Sequence, residues 1–137
     1  MDNISVLKIY EEYDFFEVEI RAENEYIKVT QTCYIGIDEI ENNIKIINDY
    51  LEASNSKCYI EFGCIEGNSS PAFSMTFLPL DSHGHIKIEM DMEIVDNTER
   101  IHRAKFYVNT ELGRLYCFKD KLQNIEFGEE INLNLLV

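Results

Sequence analysis

Asp81, His83 and His85 lie within five residues of one another, just ahead of the alternating run Ile86–Ile94. On extended backbone, residues two apart point the same way, so a His-x-His pair beside a carboxylate can ligate a transition metal. The third imidazole, His102, falls on the neighbouring strand close to Ile94. That is about eight residues from His85, or ~25 Å at strand rise, too far for one ion. The histidines are therefore expected at hairpin ends, and no metal or other cofactor is expected.

Carboxylates are plentiful. Glu89, Asp91 and Glu93 share one face of a strand, as do Glu17 and Glu19. A catalytic acid needs a raised pKa, from burial or from an enforced like-charge neighbour. Alternation places these five on open faces, so they read as solvated or partner-facing rather than catalytic. There is no Gly-x-Ser-x-Gly elbow and no Walker-type loop, because the six glycines are scattered singly. Cys33 or Cys117 with a distant histidine stays open, as it does for any chain with both residue types. No Cys-x-x-Cys pair occurs among Cys33, Cys58, Cys64 and Cys117, which argues against a zinc ribbon. They are expected to be buried free thiols in a reducing compartment.

The elements that position these groups follow from periodicity. Ile86 to Ile94 is apolar at every even position and charged at every odd one, the pattern of a half-buried strand. Ile4–Tyr10 reads as a first strand. Phe15–Ala22 alternates, Asn24 supplies a turn, and Tyr26–Tyr34 returns with Ile27 and Val29 inward. The period then changes: Ile37, Ile40, Ile44, Ile47 and Leu51 form one stripe of a helix. Asp38 with Glu41 resembles a capping box, and Ser54-Asn55-Ser56 ends the helix.

Strands resume at Lys57–Gly63 and Ala72–Leu80, separated by the loop Glu66–Pro71. After Ile86–Ile94, Asp96–Glu99 turns the chain, and Ala104, Phe106 and Val108 face the core on the return. Parity allows Met92 opposite Ala104 and Met90 opposite Phe106, with Glu93 facing Arg103 and Asp91 facing Lys105. A two-residue slip keeps acid–base neighbours too, so charge leaves the register open. Leu112, Leu115, Phe118, Leu122 and Ile125 predict a second helix over Thr110–Asn124, capped by Asn109 or Thr110. Ile131–Leu135 predicts a last short strand.

The fold class is thus α+β. The expected form is one twisted antiparallel sheet of about seven or eight strands with two helices packed on it, in the order βββ-α-ββββ-α-β. Residues 1–137 read as a single domain, long enough to bury a core without disulfides.

Charge narrows the partners. Twenty-six acidic residues against 12 basic ones give a formal net charge of −14. Nucleic acids and anionic membranes draw affinity from cations, so both are disfavoured. The tyrosines and phenylalanines have no interleaved basic residues and read as core or edge rather than base-stacking. No apolar run approaches the ~20 residues of a bilayer span, and the start Met-Asp-Asn-Ile-Ser lacks signal-peptide character. The expected location is the cytoplasm, and the partner such a field attracts is a basic protein.

In segment order and local motifs, nearly the whole chain resembles immunity proteins of the WapI type and related small bacterial domains of unknown function. The residues that carry this are Phe16-Glu17-Val18-Glu19-Ile20, Asp49-Tyr50-Leu51, Cys58-Tyr59-Ile60-Glu61-Phe62 and Gly84-His85-Ile86-Lys87-Ile88. Leu115, Phe118 and Leu122 are spaced as in that family's final helix. The chain departs from the family in having no tryptophan. The resemblance implies a cytosolic, non-catalytic protein that binds and neutralises a toxin, and it carries over no catalytic residues. The expected partner-binding residues are Glu89, Asp91 and Glu93, with Glu17 and Glu19 behind them. The alternative is a ligand-binding or structural domain of unknown role. Sequence leaves the oligomeric state open.

Overall fold

The structure is a computed structural model that describes residues 2–53, 56–63, 72–97, 100–125 and 130–132. Eight strands and two helices follow the expected order: β1 (Asn3–Glu11), β2 (Phe15–Glu23), β3 (Lys28–Gly36), α1 (Ile37–Glu52), β4 (Cys58–Phe62), β5 (Phe73–Phe77), β6 (His85–Asn97), β7 (Arg100–Glu111), α2 (Leu112–Gln123) and β8 (Glu130–Asn132). The Glu66–Pro71 loop, Cys64, Ser54 and Asn55, Thr98 and Glu99, and the end of the expected last strand lie outside the described residues.

The single expected sheet is two. One is ordered β3-β2-β1-β8, the last strand only three residues long, and the other β4-β5-β6-β7. Alternation reports which face of a strand is dry but not what lies against it. Here α1 ends the first meander, and the second sheet lays its own apolar face on the same core. Ile4, Val18 and Ile20 of the first sheet join Phe73, Met75, Ile88 and Met90 of the second in one buried cluster. Each such side chain contributes ~1.5–3 kcal/mol on leaving water. The helices complete this cluster from the side, α1 with Ile40, Ile44, Ile47 and Tyr50 and α2 with Leu115, Phe118 and Leu122.

The β6–β7 hairpin takes the first of the two registers, with Met92 opposite Ala104, Met90 opposite Phe106 and Ile94 opposite His102. Four expectations shift locally. Ile27 is exposed, not inward: Asn24 Oδ1 accepts from the amides of Tyr26 and Ile27 and draws both into the turn. Helix α1 starts two residues earlier than Asp38 suggests. Gly36 is its N-cap, and Glu39 accepts from the Gly36 amide at 3.3 Å and from the Gly63 amide at 2.8 Å. Thr110 does not cap α2 but stays in β7, fully buried, and Glu111 is the N-cap without a side-chain bond. Cys117 is exposed, whereas Cys33 and Cys58 are buried as expected.

Strand β3 lies across one end of the second sheet. Gln31 Nε2 donates to Ala72 O, which also accepts from Glu93 N, while Cys33 packs against Gly63. At its start, Lys28, Val29 and Thr30 share a cleft of about 240 Å³ with Ile94, His102 and Ala104. Gly63 sits at φ +77°, and a Cβ there would fall 2.6 Å from Ala72 Cβ. Only glycine fits this corner.

Candidate functional site

Both sheets leave their outer faces to solvent, and the five acidic residues singled out above divide between them. On the second sheet, β6 presents Glu89, Asp91 and Glu93 beside the Arg103, Lys105 and Tyr107 side chains of β7. Antiparallel register puts Asp91 opposite Lys105 and Glu93 opposite Arg103. The contacts instead run along the diagonals, within reach of long side chains. Arg103 Nε and Nη2 each donate to an Asp91 carboxylate oxygen at 2.9 Å. Lys105 Nζ stands 3.4 Å from Glu89 Oε1, and Tyr107 Oη donates to Glu89 Oε2 at 2.9 Å. Asp91 holds the already basic Arg103 further towards its charged form, first by these bonds and then by its charge. On this face the cations of β7 thus offset Glu89 and Asp91.

The first sheet differs. Glu19 is paired with Arg21, and Lys8 stands 3.8 Å from Glu11 Oε1. Among the described residues, no cation pairs with Glu12 or Glu17; each is met by a tyrosine. Tyr10 Oη donates to Glu12 Oε1 at 2.6 Å, and Tyr34 stands directly opposite Glu17 across the β2–β3 ladder. Both hydroxyls are pushed above the usual tyrosine pKa, in each case first by hydrogen bonding to the neighbouring carboxylate and then by its charge. Phe15 packs edge-on to Tyr34 with ring centroids 5.4 Å apart.

These groups meet at the β1–β2 turn. Tyr10 and Tyr34 are 53% and 58% exposed, and Tyr13, at the tip between Glu12 and Asp14, is 97% exposed. Residues 11–14 are all exposed. Sequence reading reached Glu17 but missed Tyr10, Glu12, Tyr13, Asp14 and Tyr34. The available signal was Glu11-Glu12-Tyr13-Asp14, acidic and aromatic with no alternation, which marks a wet turn.

The remaining candidates are the histidines and the cysteines. Asp81 Oδ1 accepts from the amides of His83 and His85, each at 2.8 Å, and Oδ2 lies 3.2 Å from His85 Nδ1. These bonds, the backbone ones first, lower the Asp81 pKa and mark a turn-closing role. His102 sits opposite Ile94, and no cluster of three His, Cys, Asp or Glu residues able to hold a metal occurs among the described residues. Burial pushes the Cys33 thiol up to about 12 and Cys58 to about 11, which makes them poor nucleophiles. No described helix is long and apolar enough to cross a membrane.

No protein-family model matches the chain, and neither a curated protein nor a solved structure shows significant similarity to it.

Proposed function

We propose that this protein is a non-catalytic binding domain that acts on a basic protein, in the manner of an immunity protein that neutralises a toxin. The observation that supports this reading is the contrast between the two outer faces. Glu89 and Asp91 are offset by Arg103 and Lys105, while Glu12, Asp14 and Glu17 pair with no cation among the described residues and stand near three exposed tyrosines. Tyrosine supplies rigid contact area at low entropic cost and is enriched at interface centres. Carboxylates around it steer a cationic partner and favour its lysines and arginines. The contact surface is therefore centred on Tyr10, Glu12, Tyr13, Asp14, Glu17 and Tyr34, with Glu89, Asp91, Glu93 and Glu19 secondary.

The ligand-binding alternative has less support. One open cleft, of about 420 Å³, is bordered by polar groups of Asp2, Asn24, Lys87 and Asn109. The test is co-expression with the C-terminal domain of a secreted toxin encoded directly upstream. Growth is expected with the wild-type chain and arrest with the Glu12→Lys/Asp14→Lys/Glu17→Lys variant. Arrest with both, or the absence of any such upstream reading frame, counts against the proposal.

A further inference from the structure

The β3 edge of the first sheet is open to a further strand, and no described residue supplies one. Two backbone bonds set the phase of the β2–β3 ladder: Ile37 N donates to Asp14 O at 3.1 Å, and Asn24 N donates to Ile27 O at 2.9 Å. With opposed residues alternating between bonded and non-bonded pairs, odd residues of β3 bond to β2. The N–H and C=O groups of Thr30, Thr32 and Tyr34 therefore point away from the sheet. Gly36, next in the same phase, turns its N–H to the Glu39 carboxylate. No other described element hydrogen-bonds the backbone of Thr30, Thr32 or Tyr34, and all three residues are exposed.

The other long edges meet partners over part of their length. On β4, Glu61 O accepts from Asn43 Nδ2 and Gly63 N donates to Glu39, both on α1. On β7, Tyr107 O accepts from Asn24 Nδ2 and Asn109 N donates to Asp2. Proteins blunt a bare edge with charge, proline or a covering element. From Val29 to Ile37 the chain carries no charge and no proline.

We infer that β3 pairs antiparallel with β3 of a second copy of this chain, about a two-fold axis at Thr32, joining two first sheets into one. The sequence is self-complementary about that axis. Thr32 meets Thr32, Thr30 meets Tyr34, and no like charges oppose, as an isologous contact requires. Lys28 falls opposite Gly36 of the second copy, next to Asp38 in the acidic first turn of its α1, and symmetry makes that charge match twice. On the inner face Gln31, whose buried Oε1 has no partner, comes opposite the protonated thiol of Cys33.

Sedimentation velocity of the full chain over a concentration series tests this. A monomer–dimer equilibrium is expected. Thr32→Pro removes only an outward N–H and leaves the intrachain ladder whole, and Thr32→Lys sets two ammonium groups across the axis. Each is expected to raise the dimer dissociation constant at least tenfold with an unchanged far-UV circular dichroism spectrum. Lys28→Glu weakens the dimer and Lys28→Glu/Asp38→Lys restores it. A monomer at every concentration, which would leave the edge to a strand of a different protein, overturns the inference. So does a dimer indifferent to both Thr32 variants.

Discussion

Arg103 passes over Glu93, its direct neighbour across the β6–β7 ladder, and clasps Asp91 through two bonds of 2.9 Å. The bidentate fork gives the pair fixed geometry, but Arg103 is wet and salt screens it. A double-mutant cycle of Asp91→Asn and Arg103→Met, read by urea unfolding, is expected to give a small favourable coupling that vanishes in molar salt. Equal coupling at low and high salt contradicts the exposed geometry.

The corner where β3 crosses the second sheet is the tightest approach at any described glycine. Gly63 has φ +77° with Ala72 Cβ 2.6 Å from where its own Cβ would lie, whereas Gly84 has φ +82° with open space around it. Gly63→Ala adds overpacking to backbone strain and is expected to cost about 2–5 kcal/mol. Gly84→Ala meets strain alone, about 1–2 kcal/mol. Chemical denaturation of the two variants measures both, and equal losses would remove the steric account of the corner.

Tyr34 carries the electrostatic signature of the turn surface. Its hydroxyl lies beside the Glu17 carboxylate, whose hydrogen bonding and negative charge both oppose ionisation. Ultraviolet titration is expected to show a phenol that ionises above the ordinary tyrosine range and moves back down in Glu17→Gln. A titration curve unchanged by that substitution would separate the two side chains.

The buried thiols set the alkaline limit. The folded-state values of Cys33 and Cys58, about 12 and about 11, lie above the ordinary thiol value of about 9. Their contribution to stability is whole below that ordinary value and is lost as pH rises towards the folded ones. Unfolding free energy should therefore fall from about pH 9 upward. In a Cys64→Ser background, only exposed Cys117 should react quickly with an aromatic disulfide at neutral pH, with Cys33 and Cys58 reacting on unfolding.

The order βββ-α-ββββ-α-β was legible because the period of apolar residues changes cleanly at Ile37 and at Leu112, where strands give way to helices. The division into two sheets was not, since Val18 and Met90 alternate in the same way whichever layer faces them. Hairpin register was decided by packing: the charge pairs of Arg103 and Lys105 form on diagonals and tolerate either alignment. The acidic stretch at Glu89, Asp91 and Glu93 looked free on its own strand, and its neutralisation came from a neighbour whose long side chains no one-strand reading includes. Tyr10 and Tyr34 lie far apart in sequence, so the surface they share with Glu17 exists only once β1, β2 and β3 are paired.

Association kinetics test most directly the proposed meeting of a basic partner with the β1–β2 turn. Stopped-flow binding to the toxin domain encoded upstream would compare Glu12→Lys/Asp14→Lys/Glu17→Lys with Glu89→Lys/Asp91→Lys/Glu93→Lys. Steering of this kind changes rates by ~10–10³-fold, so the first triple should slow association by at least tenfold and flatten its salt dependence. The second should have the smaller effect. A first triple that binds as fast as wild type, at low and high salt alike, would contradict the account.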